Sequence, residues 1–501
     1  MSSRAPRWAL GVASALGRSG PAWRVATAGR RARFRRNRRR LPAALQRTFG
    51  IRAPVERVDH HEAHAWGAYL TSGLREATVI TLDGGGDGHA AKVFVGRAGR
   101  LRTLHATTTF HSIGNYYAYV TKLLGFQAHK HEGKVTGLAA YGEPRHLPVL
   151  RRLIGFDPRA GGMRNHGGRL LWAAFEQLRG SLPSDARPED VAASIQLLLE
   201  EEVTAFVRHW VRRTGIPHLA LAGGVFANVK LNQRILELPE VETVRVHPPM
   251  GDEGLCLGAA CGVHARRAKR PPALFQGLRL RTLYLGSRHA ERSMERALRD
   301  EGLPHLRLSA VAPVVAELLA GGAIVARFDG AMEFGPRALG NRSILYRATD
   351  PDVNRWLNER LQRTEFMPFA PATLAESAER SYLGLAGAEE SARHMTITFD
   401  CTEWMRREMP AVVHVDGTAR PQLVDAATSP EYHAILQAYE RRTGLNSIVN
   451  TSFNMHEEPI VASPEDAVRA FRAAELDYLS MGPFLAARSA DALTALPAAG
   501  D

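Results

Sequence analysis

Read by its apolar spacing, the chain alternates between strand-like and helix-like stretches. Ala77–Leu82 (ATVITL) is a short run rich in β-branched residues, the pattern of a buried strand. Strand candidates follow at Lys92–Gly96 and Leu101–Thr108. Tyr116, Val120, Leu123 and Leu124 then recur at helical spacing behind Ser112, a residue suited to an N-cap. Asp190–Trp210 predicts a long amphipathic helix. His218–Ala222 (HLALA) predicts a short buried strand that turns through two glycines into another helix, and Val244–His247 a further strand. Residues 145–185, with several prolines and RNHGGR in loop-like settings, read as a variable insertion. Farther on, Val311–Ala326 predicts a buried helix running into a strand, and the run SIV ahead of Asn450 a strand that ends in a turn.

Composition adds limits. At 501 residues the chain is too long for one hydrophobic core, so two domains are expected, joined by the basic, proline-containing stretch 265–277. No apolar run is long enough to span a bilayer, since Val311–Ala326 is broken by Glu317 and two glycines. Cys256, Cys261 and Cys401 show no C-x-x-C spacing, which argues against a disulfide framework or a thiolate zinc site. A cytoplasmic protein is the expectation. The net charge of +14 is unevenly placed: the first fifty residues hold thirteen arginines and no acid. We read this as a basic arm, largely unstructured or loosely helical. With the remainder close to neutral, no nucleic-acid partner is expected.

Candidate chemistry falls at the predicted strand ends. His60 and His64 are four apart, which on a helix places both imidazoles on one face; His61 between them points elsewhere. Asp83 ends the strand Ala77–Leu82 and is followed by Gly84, Gly85, Gly86 and Asp87, a loop in which backbone N–H groups can approach a phosphate. Asp252 repeats that placement in MGDEG, so two histidines and two aspartates would form a mixed site for a divalent ion such as Fe, Mn or Zn. The turn at Gly223 and Gly224, with Asn228 behind it, suits a nucleotide. The four histidines between 105 and 131 are too irregularly spaced for a second metal site. In the second half Arg327, Arg337, Asn341, Arg342, Ser343, Arg363, Arg420, Asn450 and Ser452 fall in four donor-rich segments. Guanidinium forks with Asn and Ser donors fit a phosphorylated or carboxylated anion.

These segments together resemble the O-carbamoyltransferase family. The resemblance runs from about Val55 to Leu485 and rests on HHEAHA, LDGGGD, SIGNYYAYVTKLLGF with EGKVTGLAAYG, AGGVFANVKLN, MGDEG, EFGPRALGNRSIL, FMPFAP, DGTARPQ and NTSFN. It implies an α/β protein with an actin-like ATPase-fold domain over 55–275, similar to the threonylcarbamoyl-transfer protein of tRNA modification, and an α+β YrdC-like domain over 280–490. The implied activity is ATP-dependent: carbamoyl phosphate and ATP, with Mg2+, give carbamoyl-adenylate, whose carbamoyl group passes to a hydroxyl of a sugar or natural product. The implied metal is Fe2+, or another divalent ion such as Mn2+, on His60, His64, Asp83 and Asp252. Adenylate contacts are implied at Gly84, Gly85, Gly223, Gly224 and Asn228. Arg337, Arg342 and Arg363 are implied as the catalytic groups of the carbamoyl-phosphate and ATP pocket, alongside Arg420, Asn450 and Ser452, with Arg327 beside them. The resemblance leaves the acceptor unnamed and a homodimer open.

Two departures stand out. Members usually begin with a strand hairpin carrying an Asp and a His that approach the acceptor, and nothing in residues 1–54 resembles it. Without it the sheet begun by Ala77–Leu82 is expected to keep an uncovered edge. An N-terminally truncated, weakly active or non-catalytic homologue that binds metal and nucleotide is therefore the alternative to an active transferase. Many members also carry Lys and Arg where this chain has Leu361 and Met367.

Overall fold

The computed structural model describes residues 28–268, 278–362, 368–494 and 496. They fall into two compact units, one of residues up to 227 with 238–241 and 254–278, the other of the remainder. Within the described part of the arm, Ala28–Phe49 is a single helix, α1. Its described arginines are exposed, as are Leu41, Phe49 and Ile51. Residues 1–27 lie outside the described residues.

The first unit is built on strands in the order β3-β2-β1-β6. The strand begun at Ala77 is longer than its apolar run: β1 spans Glu76–Gly86 and so includes the acid and its glycines. It pairs antiparallel with β2 (His89–Arg97), which pairs with β3 (Arg100–Thr108), and parallel with β6 (His218–Ala222). β1 is therefore internal, and the sheet edge in this unit falls at β3 rather than at the first strand. Val79, Ile80, Ala220 and Leu221 are fully buried, which is why this strand reads as a continuous apolar run instead of alternating. Helix α2 (His60–Thr71) lays Trp66, Tyr69 and Leu70 onto Val79, Phe94 and Ala220. Its start is fixed by Asp59, which accepts from the Glu62 N–H at 3.1 Å and pairs with the Lys92 ammonium at 2.8 Å.

Ser112 caps α3 (Ile113–Leu123) through the Asn115 N–H, as its sequence position predicts, and α4 covers Glu132–Ala139. The stretch read as a loop-like insertion is instead ordered. It forms α5 (Leu147–Arg151), a two-stranded ribbon of β4 (Ile154–Asp157) and β5 (Gly162–Asn165), and α6 (Trp172–Ser181). Many of its apolar residues, Leu147, Leu150, Ile154 and Phe175 among them, are buried but too widely spread to show a period, while Leu171 and Trp172 are exposed. The long helix α7 (Pro188–Thr214) ends at Gly215, whose φ of 69° closes it in the left-handed conformation. α8 (Val229–Leu236) and α9 (Leu255–Arg267) complete this part of the chain.

The second unit is built on an eight-stranded sheet, in the order β14 (Gln422–Val424), β11 (Ala370–Leu374), β15, β10, β9, β16 (Tyr478–Met481), β17 (Phe484–Ala487) and β8 (His305–Arg307). Its central strands are β9 (Val325–Phe328), β10 (Arg342–Arg347) and β15 (Ser447–Ser452), all antiparallel neighbours. Alternate residues sort to two faces, as the pleat requires. Val325, Leu345 and Ile448 pack under helices α10 (Val311–Ala320) and α11 (Pro430–Thr443), while Ala326, Ile344 and Val449 join a second core. Leu361 is fully buried in that second core, so the cation that many members carry there would have no water to hold it. Met367 lies outside the described residues.

Candidate functional site

The period of α2 and the end of β1 meet at one carboxylate. The Nε2 atoms of His60 and His64 lie 3.2 and 3.3 Å from the same oxygen, Oδ2 of Asp83. Two ligand atoms on one ion at bonds of about 2.1 Å sit roughly 3 to 3.5 Å apart, so these two separations fit a shared divalent cation. The donor set of two imidazoles and a carboxylate also suits one. Asp252 lies on the turn that runs straight into α9. Burial works to raise the Asp83 carboxyl, but the hydrogen bonds from His60 and His64 outweigh it and hold the group ionised well below the usual range.

His61 faces the other way. Its Nε2 lies 3.0 Å from the His89 carbonyl, which can only accept, so Nε2 carries the proton and Nδ1 takes the Thr81 hydroxyl at 2.8 Å. Burial pushes this imidazole down to about 4, so it stays neutral and serves to anchor α2 on β1.

The glycines make the close approach possible. A Cβ on Gly86 would stand 2.1 Å from the His60 ring, and one on Gly85 would stand 2.5 Å from Thr109. The Gly84 N–H donates to Asp83 Oδ1 at 2.6 Å, the Asp87 carboxylate accepts from the His60 N–H at 3.0 Å, and Ser112 Oγ donates to the Asp83 carbonyl at 3.0 Å. Gly224 lies beside the same acid, its Cβ position 3.4 Å from Asp83 Oδ1. Gly223 has φ +104°, and a Cβ there would meet the Leu82 carbonyl at 2.1 Å. Gly223→Ala should therefore cost the fold about 2 to 4 kcal/mol, from overpacking plus the left-handed backbone. Chemical denaturation of the variant checks this, and an unchanged midpoint would show that the two strand ends can move apart freely. Asn228, expected on the nucleotide, spends its side-chain oxygen capping α8 through the Leu231 N–H at 3.0 Å.

In the second unit the segment EFGPRALGNR forms a loop between β9 and β10. Its organiser is a residue the sequence reading passed over. Glu333 is buried, and its Oε1 accepts three backbone N–H groups, those of Leu339 and Asn341 at 2.8 Å and of Arg342 at 3.1 Å. A lone acid ahead of a run of loop N–H groups is the signal that would have found it. Glu333→Ala leaves three buried donors unmet and should destabilise by about 3 kcal/mol or more, whereas Glu333→Gln keeps an acceptor oxygen. Equal melting temperatures for the two variants would count against this role.

The arginines of the segment divide. Arg342 is fully buried over the Phe328 ring at 3.8 Å and donates to the carbonyls of Asp329 and Asn341, both at 2.7 Å, and of Gly330 and Ser287 at 3.3 and 3.4 Å. Burial pushes it down to about 10. It ties the loop together through the loop's own carbonyls. Arg327 is likewise buried, on the Gly340 carbonyl at 2.7 Å, Asn341 Oδ1 at 2.9 Å and Asp329 at 2.6 Å. Arg337, at the middle of the loop, is half-buried, and so is Arg420. Asn450 reaches the loop at the Ala338 carbonyl, 3.4 Å away, and donates to Gln422 at 2.7 Å; Gln422 in turn holds the Leu339 carbonyl at 2.7 Å. Ser452 lies opposite Ser343 in the β10–β15 ladder. Arg363 lies outside the described residues.

Comparison with known proteins agrees with this division of the chain. The family model described as "Carbamoyltransferase N-terminus" matches residues 34–261, and "Carbamoyltransferase C-terminus" matches 316–488. Nodulation protein NolO of Bradyrhizobium diazoefficiens is 34% identical over 435 residues, 85% of this chain and 78% of that protein. Nodulation protein NolNO of Sinorhizobium fredii is 34% identical over 457 residues, 89% of this chain, and the match spans 66% of the relative's own length. An uncharacterized protein of Synechocystis is 32% identical over 484 residues, 86% of this chain and 76% of that protein. Among solved structures, the HypF of T. kodakarensis aligns over 46% of this chain and 39% of that chain at 17% identity, with a TM-score of 0.26, too slight a likeness to bear on the fold. No described helix is long and apolar enough to cross a membrane. The chain belongs to the carbamoyltransferase family of transferase enzymes.

Proposed function

We propose that the chain is a cytoplasmic, ATP-dependent O-carbamoyltransferase. In this reading the second unit is a YrdC-like domain that joins carbamoyl phosphate to ATP with release of pyrophosphate. The first is an actin-like ATPase-fold domain that passes the carbamoyl group from the adenylate to a hydroxyl of a sugar, glycan or natural product. The observation that carries it is the convergence of His60 and His64 on one oxygen of Asp83 beside two glycine turns. Held by His60, His64, Asp83 and Asp252, a divalent ion such as Fe2+ or Mn2+ would supply Lewis acidity. The chain's own part is positional. The open backbone at Gly84, Gly85 and Gly224 lets phosphate oxygens approach N–H donors, and Asp83 stays ionised to orient both imidazoles. In the second unit Arg337, Arg420 and Ser452 would gather the phosphates, while Glu333 and Arg342 hold the loop that presents Arg337.

The test is direct. Purified protein given ATP and carbamoyl phosphate should release pyrophosphate, and omitting carbamoyl phosphate should stop the release. Pyrophosphate release that ignores carbamoyl phosphate would overturn the reading.

A further inference from the structure

At the end of β1 remote from Asp83 lies a cavity of about 400 Å³ that no part of the proposed reaction uses. Val95 and Arg97 on β2 line it, and these pair with Thr78 and Glu76 of β1. Glu76 and Asp83 are seven residues apart on one strand, or about 23 Å at the rise of an extended chain. The cavity is thus separate from the acid loop.

Its walls carry one sign of charge. Arg97 from β2, Arg102 from the edge strand β3 and Arg213 from the last turn of α7 all contribute. Arg97 pairs with Glu76 at 2.8 Å, but among the described residues neither Arg102 nor Arg213 has a carboxylate partner. Arg208 and Arg212, neighbours of Arg213 on the same helix, both pair with Glu240, at 3.4 and 2.5 Å. Arg213 instead covers the Trp210 ring, 5.3 Å from its centroid. Its charge reaches nearby groups: His105 is depressed by burial, then by His209 and Arg213, and His209 by burial and then by Arg213. Val95, Trp210 and Ile216 add apolar lining, beside Thr103 and Thr214.

Arg102 and Arg213, which have no carboxylate partner among the described residues, line one concavity beside the Glu76-paired Arg97, and their charges favour an anion there. Paired forks of this kind fit the oxygens of a phosphate, and an apolar floor fits the body of the molecule that carries it. The volume lies within the range of small-molecule sites. We propose that this cavity binds a small phosphate ester through Arg97, Arg102 and Arg213, as a second anion site distinct from the carbamoyl-transfer centre. The site touches that centre's strand from behind, because Thr78 of β1 shares a 2.6 Å hydrogen bond with Thr214 in the cavity wall.

The experiment uses the full chain carrying H64A and R337A, one substitution in each of the two sites described above. Calorimetric titration with AMP, and with pyrophosphate, at constant ionic strength should still show one saturable site. Adding R102A and R213A should weaken that binding at least tenfold. Both positions are exposed, so the fold should survive, and the melting temperature without ligand checks it. No saturable binding to the H64A/R337A chain, or equal binding with and without the two added substitutions, would overturn the proposal. A response that sodium sulfate at matched ionic strength reproduces would likewise reduce the cavity to a general anion patch and overturn it.

Discussion

Arg337→Ala is expected to lower carbamoyl-phosphate-dependent pyrophosphate release by about 10²- to 10³-fold, the usual cost of removing one donor from a site of developing charge. His64→Ala should leave that release largely intact and instead stop transfer to the acceptor. The asymmetry follows from placement. Arg337 sits in the loop clasped by Glu333 and Arg342 in the second unit, whereas His64 sits against Asp83 in the first. Rates of the two half-reactions, followed separately as pyrophosphate and as carbamoylated acceptor, check it. A His64→Ala protein that is folded yet loses pyrophosphate release as fully as Arg337→Ala would sink the two-site scheme.

Removing one metal ligand should be nearly as severe. His60→Ala and Asp252→Ala should each weaken divalent metal binding by at least about a hundredfold, beyond what losing a supporting residue costs, with little loss of fold. His60 is 14% exposed at its side chain and Asp252 is exposed, so neither substitution opens a core cavity. Elemental analysis after gel filtration, with circular dichroism as the fold control, is the measurement. Equal metal in wild type and both variants would remove the centre from the argument.

The sequence carried the first-unit site further than the second. His60, His64, Asp83 and the glycines are legible because their roles rest on backbone facts: helical spacing, a strand end, and close approaches where no Cβ fits. The contacts of Arg342 were not legible for a physical reason. A guanidinium in a glycine-rich loop looks the same in sequence whether it faces a phosphate or the loop's own carbonyls, and only burial separates the two. Glu333 was missed by the converse error, since one acid among many donors draws no notice until its three N–H partners are seen. The helices and ribbon of residues 147–181 escaped because they are short and their apolar positions answer to α7 more than to a local period. That the strand Ala77–Leu82 is flanked on both sides, by β2 and β6, is a non-local fact that its own residues do not carry.

Gly258 and Gly262 lie one turn apart on α9 and face α2. A Cβ on the first would stand 1.9 Å from the Ala63 carbonyl, and one on the second would stand 2.7 Å from the Trp66 ring. Ala63 directly precedes His64, and Asp252 stands three residues ahead of the start of α9. These two glycines therefore act as a caliper: the bare backbone of one helix is the stop against which the other, carrying His64, is set. A single methyl at Gly258 would push back the turn that carries His64 without touching the imidazole itself. The reach of that imidazole toward Asp83 is then written in a residue that has no side chain at all.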